Sequence, residues 1–164
     1  MAKGERRMKT NDYADVAIKP PFLFLAALAL GYVLTRYVPI GPGLASPNGL
    51  GLTVGLIFVA VGFALAIRAI QMFRRAGTHV APGQPAAALV TAGPYRFTRN
   101  PIYIGFVLVY FGLSIVLTSV WILLLLLPVV LILQRGVVLR EEAYLERKFG
   151  DAYRAYAARV PRWL

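Results

Sequence analysis

Apolar residues in this chain gather into long uncharged runs, and the polar residues collect between and after them. The first run covers residues 21–38 and is interrupted only by Arg36. At 1.5 Å of rise per residue, a helix of that length crosses a hydrocarbon core of about 30 Å. Arg36, near its end, can snorkel to the interface. Residues 39–49 are rich in Gly and Pro, carry no charge and predict a short loop. A second run covers residues 50–73, with Arg68 at headgroup depth and Gly55 and Gly62 placed to let a neighbouring helix approach. Residues 74–100 hold Arg74, Arg75, His79, Arg96 and Arg99, are broken by Pro82, Pro85 and Pro94, and predict a loop. Residues 100–134 carry no formal charge; one helix of that length would be about 50 Å long, beyond the apolar core. Two spans in a tight hairpin, residues 101–118 and 120–139, fit better, with the turn at Thr118 and Ser119 and a kink expected at Pro128.

Composition supports a bilayer as the solvent. The chain has 164 residues, enough for one domain over 1–164, and is 59% hydrophobic. Its mean hydropathy of +0.65 is too high for an ordinary soluble domain. A net charge of +11 would suggest nucleic acid in a soluble protein, but here the basic residues flank the apolar runs. With four spans, nearly every Lys and Arg falls on one side, Arg36 excepted. The expected fold is therefore all-α: a polytopic membrane protein of four transmembrane helices with a helical cytoplasmic tail, residues 140–164. Both termini are expected in the cytoplasm, in a prokaryotic cytoplasmic membrane, with lipid and no nucleic acid as partner. Lys3, Arg6, Arg7 and Lys9 precede the first run as in a signal peptide, but Asp12, Asp15 and Lys19 intervene and no small-residue cleavage site follows. The first run is expected to be a retained span.

The tail has a helical pattern of its own. Glu141, Leu145 and Phe149 recur every four residues, Gly150 is a natural stop, and Asp151 can cap a second short helix carrying Tyr153 and Tyr156.

The chain has no cysteine and one histidine, which excludes disulfides, thiolate chemistry and a multi-histidine metal site. All seven carboxylates lie at the two ends, none between Val16 and Arg140. Glu141 and Glu142 begin just past the last apolar run. Either they pair with Arg135, Arg140 or Lys148 on a solvated face, or one of them faces inward to bind a cationic or polar group; adjacent residues do not share a helical face. A second cluster, residues 93–103, joins the loop to the third run. Asn100 can cap that helix, Pro101 suits its first turn, and Arg99 adds charge to the positive end of the helix dipole. This spot suits a carboxylate or phosphate, or else is an interfacial anchor. His79, alone in a loop, reads as solvated.

Together the two clusters resemble the isoprenylcysteine carboxyl methyltransferase family and the related phospholipid methyltransferases. One signature is Leu89-Val90-Thr91-x-Gly93-Pro94-Tyr95-Arg96-x-x-Arg99-Asn100-Pro101-x-Tyr103. The other is Glu141-Glu142-x-x-Leu145-x-x-x-Phe149-Gly150-x-x-Tyr153-x-x-Tyr156-x-x-x-Val160-Pro161-Arg162. Eukaryotic members carry His where this chain has Asn100, so a role needing imidazole there does not transfer. The resemblance implies a pocket for S-adenosylmethionine, yielding S-adenosylhomocysteine, without a dinucleotide-binding fold. Leu89, Val90 and Gly93 would contact the nucleoside. Tyr95, Arg99, Asn100 and Tyr103 would surround the amino-acid end, and Glu141 or Glu142 with Tyr153 and Tyr156 would close the pocket. Arg135 or Arg140 would orient a carboxylate acceptor, and Glu142 could accept a proton from an amine. The implied acceptor is lipophilic, most simply the carboxylate of an isoprenylcysteine-like compound. A phospholipid amine, a nicotinamide-dependent membrane reductase on a related scaffold, and a non-catalytic membrane protein are the alternatives. No metal is implied.

Overall fold

A computed structural model describes residues 12–40, 49–79 and 84–164. Lys3, Arg6, Arg7, Lys9, Pro82 and most of the first predicted loop lie outside the described residues. Among those described, the chain is helical with no strands. Helices α1 (Pro20–Tyr37), α2 (Gly49–Arg75), α3 (Pro101–Val116) and α4 (Val120–Leu133) are the apolar ones. A π-helical turn, Gln134–Val138, leads from α4 into α5 (Leu139–Phe149), and α6 (Asp151–Ala157) follows. A short 3-10 turn, Gly93–Arg96, precedes α3.

Among the described residues, three helical runs are long and apolar enough to cross a membrane: α1, α2 and the continuous run Val120–Phe149. The apolar part of that last run is α4; α5 lies beyond it and carries the charged residues. Helix α3 is apolar but shorter, at 16 residues.

The four apolar helices alternate in direction. Gly55 meets Gly112 and Val116, whereas Gly62 meets Gly105 and Val109, so α2 and α3 run antiparallel with backbones in near contact. A Cβ on Gly62 would sit 2.6 Å from the Gly105 carbonyl oxygen and 2.8 Å from the Val109 nitrogen, both rigid backbone atoms. Glycine is required here by proximity, because apolar helices in lipid gain stability by close packing rather than by leaving water. Gly62→Leu is therefore expected to cost about 2–3 kcal/mol by overpacking, read as a lowered melting temperature in detergent.

The α3–α4 hairpin turns at Thr118, which has φ 50°, and Ser119 caps α4 by accepting the Ile122 N–H. The helix runs on through Pro128, and the irregular turn comes later, at Gln134–Val138. Phe24, Tyr103, Tyr110, Ile122, Val129 and Leu133 form the core between α1, α3 and α4.

At the α4 C-terminal end the tail folds back over the bundle. Gly150 stops α5 with φ 52°, and none of the described residues lies near its absent side chain. Asp151 does not cap α6: Gly150 holds the cap position, and the Asp151 carboxylate takes a hydrogen bond from Arg154 instead. After α6 the chain returns to α3, where Arg99 N–H donates to the Pro161 carbonyl at 2.9 Å. The N-terminal segment reaches the same end, since Ala17 N–H donates to the Gly136 carbonyl.

Candidate active site

A cavity of about 120 Å³ opens where the C-terminal end of α2, the loop before α3, the start of α3 and the tail helices meet. It is lined by both predicted clusters, which are far apart in sequence and come together through the hairpin and the tail. Leu89, Val90, Tyr95, Arg99, Asn100, Tyr103, Glu141, Glu142, Tyr153 and Tyr156 all line it.

Both glutamates face this cavity, contrary to the expectation that only one could. Successive side chains on a helix are about 100° apart, and a concave pocket that wraps α5 admits both directions. Their environments differ. Glu142 lies between two arginines, with Arg99 Nη1 at 3.0 Å and Arg162 Nη2 at 2.7 Å. Arg162 grips it with two nitrogens, its Nε donating to the other carboxylate oxygen at 2.9 Å. Both Arg99 and Glu142 are only about 15% exposed, so this is a largely desolvated pair in which loss of one partner strands the other. Glu141 has no cationic partner among the described residues. Its carboxylate accepts from the Tyr103 hydroxyl at 2.9 Å. Burial and the neighbouring Glu142 charge push its carboxyl up to about 7, against the lowering hydrogen bond from Tyr103.

That shift has a sign. A carboxyl raised from 4.5 to about 7 stabilises the fold below its unfolded value, and that stability is lost as pH rises through the folded value. The ligand-free protein is expected to lose about 3 kcal/mol on full ionisation of Glu141. Thermal melts across this range should show the loss in wild type and a flatter profile in Glu141→Gln.

Asn100 sits at the α3 cap position, but its side chain makes no cap bond. Its Nδ2 donates to the Arg162 carbonyl at 2.9 Å, beside a Thr98 hydroxyl bond to the same oxygen. The two signatures are thereby tied together. Arg99 is not a free cation at the helix end either; Glu142 and the Tyr153 hydroxyl engage its Nη1. Its Nε is buried and has no hydrogen-bond partner among the described residues. Tyr156 donates to the Tyr95 carbonyl at 2.8 Å, holding α6 against the turn before α3. Burial pushes the Tyr156 phenol up to about 12, so it stays a donor at physiological pH.

Some predicted residues stand apart. Gly93 does not line the cavity; with φ 61° it starts the turn before α3, and a Cβ there would press on the Met72 sulfur at 3.0 Å. Arg135 and Arg140 are exposed and outside the lining, and Arg140 donates to the Asp15 carbonyl at 3.0 Å. Lys148 pairs with Asp12 rather than with a glutamate. The lining also includes Ala14, Phe73, Gln84, Ala86 and Tyr144, which were not singled out from sequence, and His79, which is exposed as expected yet borders the cavity. Tyr144 was visible only as a helical neighbour of Glu141, three residues on. Ala14 carried no local signal.

The donor set fits S-adenosylmethionine. An uncompensated carboxyl suits a cationic group, the orphaned Arg99 Nε suits a carboxylate, and Leu89, Val90 and Leu145 with the tyrosines suit a nucleoside.

The family model for phospholipid methyltransferase matches residues 50–152. Among individual proteins, the chain is 32% identical over 114 residues to the protein-S-isoprenylcysteine O-methyltransferase of Schizosaccharomyces pombe, covering 66% of this chain and 47% of that protein. It is 51% identical over 35 residues to an uncharacterized protein of Haemophilus influenzae, covering 21% of this chain and 56% of that one. The chain thus spans about half the length of the curated relatives it matches. The matched region holds the loop, α3, Glu141, Glu142 and the start of α6, most of what builds the cavity: this membrane protein belongs to the phospholipid methyltransferase family.

Proposed function

We infer that this protein is a membrane methyltransferase that uses S-adenosylmethionine and acts on an acceptor with a lipid tail. The observation that carries the reading is the pair of unlike glutamates on one cavity: Glu142 neutralised by Arg99 and Arg162, Glu141 left for a ligand. Four spans, with both termini and the cavity on the cytoplasmic side, fit the alternating helices and the placement of basic residues.

When bound, S-adenosylmethionine supplies an electrophilic methyl group on a sulfonium centre. The chain's own part is to position and to exclude water. Glu141 would hold the cationic part of the ligand, and Arg99 Nε would take its carboxylate. Leu89, Val90, Leu145 and the ring faces of Tyr95, Tyr153 and Tyr156 would enclose the nucleoside. The cavity lies just past the apolar runs, so an acceptor headgroup could reach it while its tail stays in the bilayer.

A carboxylate of isoprenylcysteine type is the first acceptor reading, supported by the named activity of the S. pombe relative. It needs no proton removed. A phospholipid amine is the second, and a specific observation favours it: Arg99, the arginine on the lining, is already paired with Glu142 and would meet the cofactor's carboxylate, so it is not free to orient an acceptor carboxylate. Purified protein given methyl-labelled S-adenosylmethionine and total membrane lipid decides between them. A carboxylate acceptor gives a methyl ester whose label is released as methanol by mild base. An amine gives label that survives it. Methylation of water-soluble compounds alone would defeat the lipid-acceptor reading.

A further inference from the structure

The helical run beyond α4 presents two faces. One carries Glu141, Glu142 and Leu145 to the cavity. The other carries Gly136, Arg140, Tyr144 and Lys148, spaced every four residues, and each of these meets the segment that precedes α1. Ala17 N–H donates to the Gly136 carbonyl at 3.2 Å. Arg140 donates to the Asp15 carbonyl at 3.0 Å. Tyr144 donates to the Asp12 carbonyl at 3.1 Å, and Lys148 Nζ lies 2.7 Å from the Asp12 carboxylate. Residues 12–17 therefore run antiparallel along one stripe of the helix, in register with its turns.

This segment also reaches the cavity. Ala14 is 4% exposed, packs with Ala86 and Tyr144, and lines the pocket. Tyr144 joins all three walls, because its hydroxyl accepts the Ala86 N–H at 2.9 Å while donating to Asp12. The segment lies outside residues 50–152, the part matched by the family model.

We propose that residues 12–17 are a strap that forms one wall of the ligand pocket and controls how long a nucleoside ligand stays bound. The inference rests on the cofactor reading above. The fastening suits a strap that can release. Its ion pair is open to solvent, with Asp12 64% exposed, and such pairs hold weakly. Its backbone bonds are few, and its buried anchor is the small side chain of Ala14. Residue size at position 14 would then set how much room the ligand has.

The test uses the full chain in detergent, with S-adenosylhomocysteine as probe. Asp12→Lys places two cations together and should speed probe dissociation roughly three- to tenfold, while the ligand-free melting temperature changes little. The swap Asp12→Lys with Lys148→Asp should restore the wild-type rate. Ala14→Phe should lower affinity more than tenfold at an unchanged association with detergent micelles and an unchanged helical content. The probe should also slow hydrogen exchange at the Ala17 amide, which a merely structural contact would not couple to ligand. If wild type binds the probe and these variants bind and release it identically, the strap inference alone is overturned. If wild type itself fails to bind, the cofactor reading falls, and the strap's role falls with it.

Discussion

Glu142→Ala is expected to destabilise the protein by about 3 kcal/mol and to reduce affinity for S-adenosylhomocysteine at least a hundredfold, by roughly 2.7 kcal/mol or more. The carboxylate sits between Arg99 and Arg162, and removing it leaves two guanidinium groups, that of Arg99 largely desolvated, with no carboxylate between them. Arg99 then loses its ion-pair partner and keeps, among the described residues, only the Tyr153 hydroxyl on its Nη1. The larger part of this cost is the stranded charge rather than the lost attraction. A double variant, Arg99→Ala with Glu142→Ala, should therefore recover part of the stability while remaining unable to bind. Calorimetry for binding and thermal melts in detergent separate the two effects. Wild-type affinity in Glu142→Ala would mean that the arginine–glutamate cluster does not organise the pocket.

The second large effect is expected at the neighbouring residue and is different in kind. Glu141→Gln keeps the size of the side chain and its contact with Tyr103, so the fold should persist. Its loss of negative charge should weaken S-adenosylhomocysteine binding by roughly thirty- to a hundredfold, the range of a charge-assisted hydrogen bond in a desolvated site. The nucleoside 5′-methylthioadenosine has no amino-acid end, and its binding should be nearly unaffected. Equal weakening of both ligands would show that Glu141 supports the pocket wall instead of meeting the ligand's charge. The contrast between adjacent glutamates follows from their partners: two arginines for Glu142, one tyrosine hydroxyl for Glu141.

The π-helical turn between α4 and α5 sets the rotation at which α5 meets the cavity. A wide turn shifts the register of everything after it, and such turns recur at functional sites. Trp163 closes this region from the C-terminal end, its indole N–H donating to Gln134 at 2.9 Å. The chain end, the π turn and the start of α3 thus form one packed unit.

Much of this molecule was legible along the chain because a bilayer imposes simple rules. Uncharged runs must be helical, since lipid offers their backbones no hydrogen bonds, so α1, α2 and the break at Thr118 and Ser119 follow from composition and length. Gly55 and Gly62 could be read as points of close approach, and Gly150 as a stop, because absence of a side chain has few other uses there. Side-chain partnership was not legible. Sequence spacing offered Arg135, Arg140 or Lys148, neighbours on the same helix, as the partners if the glutamates were paired at all, whereas folding brought Arg99 and Arg162 to Glu142 and gave Lys148 to Asp12. Nor could spacing show that Asn100 would bond Arg162 instead of capping its helix, or that Ala14 would wall the pocket. Helix and span are decided by the chain's local contest between apolar surface, backbone hydrogen bonds and solvent. Which charges meet, and which carboxylate is left for a ligand, depends on contacts between segments remote in sequence, and those exist only once the tail has folded back across the bundle.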